Sequence, residues 1–97
     1  MYKVIKRDGK VTDFDIAKIT IAITQAFESV QRQYHPSVID MLALRVTSDF
    51  EPKIKEERIH VEDIQDSVED VLIQADYADV AKSYILFRKQ SDKIGNM

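Results

Sequence analysis

Apolar and polar side chains alternate from residue 2 to residue 14, then switch to a spacing of three and four from residue 15 onward. The alternating stretch predicts a β-hairpin, with strands over 2–7 and 10–14 joined at Asp8-Gly9. Asp-Gly favours a two-residue type I′ turn, in which both central residues take positive φ. That turn pairs Arg7 with Lys10, Lys6 with Val11, Ile5 with Thr12 and Val4 with Asp13. One face then carries Val4, Lys6, Val11 and Asp13, and the other Lys3, Ile5, Thr12 and Phe14. A first helix over 15–31 turns Ile16, Ile19, Ile23, Ala26, Phe27 and Val30 inward, with Asp13 or Asp15 as its cap. A polar connection leads to Pro36, which suits the first turn of a second helix over 36–51. That helix buries Val38, Met41, Leu42, Val46 and Phe50, and Pro52 ends it. A charged loop over 53–57 precedes a short strand over 58–61. A third helix, 62–75, turns Ile64, Val68, Val71, Leu72 and Ala75 inward. A fourth, 77–93, does the same with Tyr77, Val80, Ala81, Tyr84 and Ile85, and Gly95 stands where a helix C-terminus would end. The expected fold is α+β and mostly helical: four helices with a hairpin and a third short strand at one end. A hairpin alone is marginal in water, so it should pack on the helices.

Composition narrows this little. Ninety-seven residues make one domain, and a chain of this size buries roughly 65% of its extended surface, enough for one modest core. Hydrophobic residues make up 44% and charged residues 32%, the balance of a globular protein rather than a disordered one. No apolar run approaches a membrane span, and Met1 leads straight into strand-like sequence rather than a secretory signal. A cytoplasmic location is expected. The absence of cysteine excludes disulfides, thiolate zinc sites and cysteine nucleophiles. A net charge of −3 argues against a nucleic-acid partner, which needs clustered cations. A small anion needs only a few cations in one place.

The candidate chemistry lies at the hairpin end. Lys6 and Arg7 precede the turn, and Lys18 sits in the first turn of the next helix. Ammonium groups, a two-pronged guanidinium and free helix N–H groups together suit a polyphosphate. Exposed cations are also common at turns without any ligand. The inward stripe of the fourth helix continues to Arg88, which should be paired, bound to a ligand or snorkelled into water; Lys89 is its neighbour. Val4, Ile19, Phe50, Ile59 and Ile64 are wall candidates for a flat ring, or simply core. His60 either caps the third helix or faces a ligand. Glu62 and Asp63 complement the third helix dipole, and Asp66, Glu69 and Asp70 read as a solvated face. No Walker, GxGxxG, GxSxG or HExxH pattern is present, so no catalytic residue and no metal ligand set is assigned.

Val4-Ile5-Lys6-Arg7-Asp8-Gly9, then Phe14, Lys18-Ile19 and Ala22, resemble the opening of the ATP-cone domain. Ile59-His60-Val61-Glu62-Asp63-Ile64-Gln65-Asp66, Val68-Glu69, Leu72, Asp79-Val80-Ala81, Tyr84-Ile85 and Arg88 continue the likeness, which covers about residues 2–91. The resemblance implies a four-helix bundle capped by a small three-stranded sheet, excised from a larger reductase as one domain over 1–97. It implies a regulatory domain of a ribonucleotide reductase, with ATP bound in the active enzyme and dATP in the inhibited one, and Mg2+ accompanying the nucleotide. By position, Val4, Lys6, Arg7, Lys18, Ile19, Ile64, Gln65, Arg88 and Lys89 would line the site. The partners implied are the nucleotide, the rest of the reductase and other cones, with no membrane and no nucleic acid. His60 stands where threonine or serine is common, and Thr12 replaces an acid found in some relatives; Asp13 or Asp15 would take the sugar contact. The wording at Gln65-Asp66-x-Val68-Glu69 looks most like anaerobic, glycyl-radical ribonucleoside-triphosphate reductases, with a cobalamin-dependent reductase next. The rival reading is a degenerate cone serving as a nucleotide-free helical interaction module.

Overall fold

The computed structural model describes residues 2–94, as β1 (Lys3–Ile5), β2 (Val11–Asp13), α1 (Ile16–Ser29), α2 (Pro36–Phe50), β3 (Arg58–His60), α3 (Val61–Gln74) and α4 (Ala78–Ile94). A 3-10 turn, Glu51–Lys53, follows α2 where Pro52 interrupts the helix. Gly95 lies outside the described residues. The elements match the expected α+β class: four helices and one three-stranded sheet of order β2-β1-β3. β1 is central, antiparallel to β2 and parallel to β3.

The hairpin register differs from the expected one. Ile5 faces Val11, Val4 faces Thr12 and Lys3 faces Asp13. The Gly9 N–H donates to the Lys6 carbonyl at 2.9 Å and the Lys6 N–H to the Lys10 carbonyl at 2.8 Å, leaving a loop of Arg7, Asp8 and Gly9. Only Gly9 in that loop has positive φ, at 87°. This is the three-residue loop in which an ordinary turn is followed by a left-handed glycine, not the type I′ turn. The Asp8 carboxylate accepts from the Lys10 N–H at 3.0 Å and holds the turn in that form. One extra loop residue shifts the pairing by one, so Thr12 rather than Val11 shares a face with Val4. Val4 is accordingly buried while Val11 is 47% exposed. The two-residue turn with both φ positive occurs elsewhere, at Glu56 (52°) and Glu57 (62°), between paired Lys55 and Arg58.

The helix ends follow local chemistry. Asp15 caps α1, its carboxylate accepting from the Ala17 N–H at 3.0 Å. His35 caps α2 through Nδ1, with Pro36 in the first turn. The C-termini of α1 and α3 close without glycine. Gln31 (φ 55°) and Asp76 (φ 66°) take the left-handed position, with Arg32 N–H to Phe27 carbonyl at 3.0 Å and Tyr77 N–H to Leu72 carbonyl at 2.9 Å.

The core is one cluster, with Phe27, Phe50, Ile23, Leu42 and Leu72 shut off from solvent. Two residues expected inward are not: Ile16 and Met41 are 37% and 47% exposed. Ile16 sits on the first turn of α1, before the helix meets the bundle. On α2 the stripe runs through Ile39 and Ala43 instead of Met41. Tyr2, Phe14 and Phe50 stack at centroid distances of 4.7 to 6.1 Å and pin the hairpin to α2. The sheet is thus held over one end of the bundle, with β3 running directly into α3.

Candidate functional site

Between the hairpin and the starts of α1 and α3 lies a cleft of about 210 Å³. Its apolar wall comes from Val4, Ile19, Ile64, Val68 and Ala22, with Phe14, Tyr84 and Phe87 as its aromatic members. Its polar groups are Lys6, Lys18, Thr12, Asp13, Asp15 and Gln65. Six of the nine residues singled out from sequence therefore meet here: Val4, Lys6, Lys18, Ile19, Ile64 and Gln65. The register explains why Val4, Lys6 and Thr12 share it, since all three point from one face of the hairpin. The ammonium groups of Lys6 and Lys18 form no ion pair among the described residues, whereas Asp13 is paired with Lys3 and Asp15 is committed to its helix cap. The Lys3 ammonium holds the Asp13 carboxyl below its ordinary range through their hydrogen bond and charge.

Arg7, Arg88 and Lys89 stand next door. They line a second cavity of about 320 Å³ with Glu62, Glu69 and Ile85. A third, of about 200 Å³, sits under the hairpin tip between the two and includes Lys6, Arg7, Gly9, His60, Val61 and Glu62. The three spaces share walls: Lys6 and Val61 join the cleft to the tip cavity, and Arg7 and Glu62 join the tip cavity to the outer one. Gln65 ties them together, because Arg7 Nη2 donates to its Oε1 at 2.6 Å while its side chain lines the cleft. Arg7 Nε also lies 3.7 Å from Glu62 Oε1.

Arg88 is held within the domain. Its Nη1 donates to Asp66 Oδ1 at 2.8 Å and to the Glu69 carboxylate, and its Nη2 to the Glu62 carbonyl at 3.3 Å. Burial alone would lower its pKa, but the hydrogen bonds and charges of Asp66 and Glu69 outweigh that and hold it above the ordinary value. Asp66 and Glu69 are thereby partners of Arg88 rather than members of a purely solvated face. Burial pushes the Tyr84 phenol up to about 12, with the Arg88 charge pulling the other way. His60 occupies the N-cap position of α3 without a side-chain hydrogen bond, so the first N–H groups of that helix have no side-chain cap there. Phe50 and Ile59, the other wall candidates, are core residues away from the cleft.

Sequence reasoning passed over Phe14, Val61, Val68, Tyr84 and Phe87 as lining residues. Phe87 left a signal: it lies one helical turn from Tyr84, outside the inward stripe, and is 52% exposed. Phe14 and Thr12 were masked by the register error. The largest described cavity, about 390 Å³, is a groove between α1 and α4. Of its polar groups, Ser83 donates to Ser29 at 2.9 Å and Asp79 pairs with Arg32 at 2.7 Å, which leaves Lys82 as its single ammonium group. The cleft, with two unspent ammonium groups beside an apolar slot, is the better candidate.

Residues 2–93 match the family described as the ATP cone domain. The chain is 43% identical over 93 residues to a vitamin B12-dependent ribonucleoside-diphosphate reductase of Thermoplasma acidophilum, covering 91% of this chain and 12% of that protein. It is 40% identical over 92 residues to a ribonucleoside-diphosphate reductase subunit alpha of Chlamydia pneumoniae, covering 89% of this chain and 9% of the relative. For the subunit alpha of Treponema pallidum the values are 39% over 94 residues, 93% and 11%. The chain thus spans about a tenth of the length of the curated relatives it matches.

Proposed function

Because the chain belongs to the ATP-cone family, we propose that it binds ATP or dATP in the cleft as an allosteric effector of a ribonucleotide reductase. The observation that carries this reading is the pair of unspent ammonium groups, Lys6 and Lys18, brought from separate elements to one apolar slot. The base lies against Val4, Ile19 and Ile64, and the polyphosphate runs past Lys6 toward Arg7 and the start of α3. The N–H groups there have no side-chain cap from His60 and suit an anion. Lys89 lies further along the same trough. Mg2+ accompanies the nucleotide as its counterion; among the described residues no group of three or more His, Asp or Glu side chains is placed to hold a metal. Thr12, whose hydroxyl has no hydrogen-bond partner among the described residues, takes the sugar contact in place of Asp13 and Asp15, which are already engaged.

Micromolar affinity requires about −8 kcal/mol. Three charge-assisted contacts of ~1.5–3 kcal/mol each, with ring burial, reach that before ordering costs. ATP and dATP differ by one hydroxyl, and a neutral hydrogen bond contributes only ~1 kcal/mol. The effector response therefore resides in two arrangements of the cone or in assemblies of several cones, not in affinity alone. For the parent, the relatives' names support a ribonucleoside-diphosphate reductase, cobalamin-dependent in the Thermoplasma case, over the anaerobic triphosphate reductase expected from the wording of the third helix.

Thermal melting with and without millimolar Mg-ATP or Mg-dATP tests the reading. A ligand at 100 times its dissociation constant stabilises by about 2.7 kcal/mol. The Lys6→Ala/Lys18→Ala double variant should lose that shift while keeping its own ligand-free melting temperature. The rival, a nucleotide-free interaction module, draws support from the α1–α4 groove, where Leu86 and Phe87 are 60% and 52% exposed. It gains if no nucleotide shifts the melt.

A further inference from the structure

The Arg7 guanidinium already has an anion. Glu62 Oε1 lies 3.7 Å from Arg7 Nε, and the Glu62 side chain is 61% exposed. Both residues line the tip cavity and the outer cavity, and the tip cavity shares Lys6 and Val61 with the cleft. The Glu62 backbone is anchored, because its carbonyl accepts from Arg88. Its carboxylate sits on an open wall and can swing away by side-chain rotation alone. On its other side Arg7 is steadied by Gln65 Oε1 at 2.6 Å, so the guanidinium stays in place when Glu62 leaves.

We propose that Glu62 is a built-in competitor for the anion position at Arg7, displaced only by a nucleotide tail long enough to reach that shared wall. The proposal rests on the nucleotide reading of the cleft and adds to it a residue that sets selectivity by phosphate number. A nucleoside, or a short tail gripped at Lys6 and Lys18, leaves the Arg7–Glu62 pair intact. A longer tail brings a terminal phosphate to the side of the Arg7 guanidinium where the Glu62 carboxylate now lies, and the two anions repel each other there. The phosphate carries more charge than the carboxylate and takes more hydrogen bonds, so it wins, but part of its binding energy goes into the exchange. Because an exposed ion pair is weak, the competition is modest and reversible.

The test is equilibrium titration of the 97-residue chain with Mg-ATP, Mg-ADP and adenosine, using the parent, Glu62→Gln, Arg7→Ala and the double variant. Glu62→Gln should tighten ATP two- to five-fold, which is about 0.4–1.0 kcal/mol at 1.4 kcal/mol per tenfold. ADP should gain less and adenosine nothing, and the gain should vanish in the Arg7→Ala background. A gain that is equal for all three ligands, or that persists without Arg7, would reveal only a general loss of negative charge and overturn the proposal. No gain, with Lys6→Ala still weakening ATP, would also overturn it while leaving the cleft reading intact. If the parent binds none of the three, the cleft reading itself fails. Ligand-free melts accompany each variant, and Glu62→Asp, which draws the carboxylate back, gives the same ordering should Glu62→Gln not fold.

Discussion

Replacing Arg88 by methionine separates a structural arginine from a ligand-binding one. Methionine keeps much of the aliphatic stem but removes the guanidinium. The Arg88 side chain is 17% exposed, Glu69 20% and Asp66 51%. The bond to Glu69 is charge-assisted and largely shielded, worth about 1.5–3 kcal/mol. The Asp66 partner is half in water, so its share falls to roughly 0.5–1 kcal/mol. Methionine recovers some apolar contact, which leaves a net loss of about 2–3 kcal/mol. In a domain of this size each kcal/mol moves the melting temperature by roughly 4–8 °C, so a fall of about 10–20 °C is expected. Because the pKa of Arg88 is raised on folding, its contribution is fully present below the unfolded value and is lost only as pH rises through the still higher folded one. The penalty in the variant should therefore be flat from neutral pH to mildly alkaline pH. Urea and thermal unfolding of Arg88→Met, Glu69→Gln and the double variant give the coupling, expected to exceed ~1 kcal/mol. A variant within ~0.5 kcal/mol of the parent would refute the reasoning. So would unchanged stability with a tenfold loss of ATP affinity, which would make the guanidinium a phosphate ligand first.

Two further outcomes follow from groups outside the ion-pair network. The Tyr84 phenol is raised to about 12 by burial, so its stabilising effect is complete below pH 10 and fades as pH rises through 12; Tyr84→Phe should lack that component of alkaline unfolding, read as the difference between the two pH–stability curves. Gln31 and Asp76 hold left-handed conformations at helix ends where glycine carries no Cβ penalty, so Gln31→Gly and Asp76→Gly should each stabilise by about 0.5–1 kcal/mol in denaturant titration, after the entropy glycine adds to the unfolded chain.

Helical spacing carried most of the architecture. Ile19, Ile23, Phe27, Leu42, Val46, Val68 and Leu72 are as buried as their intervals implied, because the four helices meet along single apolar stripes. The hairpin was harder. Asp8-Gly9 is compatible with two loop lengths, and the choice depends on which of Val11 and Thr12 the bundle can bury, information that no local pattern holds. The parallel pairing of β1 with β3 was likewise hidden, since strands of three residues separated by two helices leave no local trace of partnership. At the site, cation positions were readable and cation partners were not. Arg88 stood out as the continuation of an apolar stripe, but its two carboxylate partners did not, because they follow from α3 and α4 packing with Asp66 and Glu69 on the facing side. The left-handed residues Gln31, Glu56 and Glu57 also gave no warning, since none is of a type enriched at positive φ; Asp76 is of such a type.

No residue intervenes between His60, the last of β3, and Val61, the first of α3. The central strand is hydrogen-bonded to β3, and β3 passes into α3 at His60 with no connecting loop. A displacement of the hairpin accordingly reaches the first turn of α3 through β1 and β3, with no loop between them to absorb it. Amide exchange in the opening turn of α3 should rise and fall in step with that of Val4 and Ile59, whatever perturbs either one.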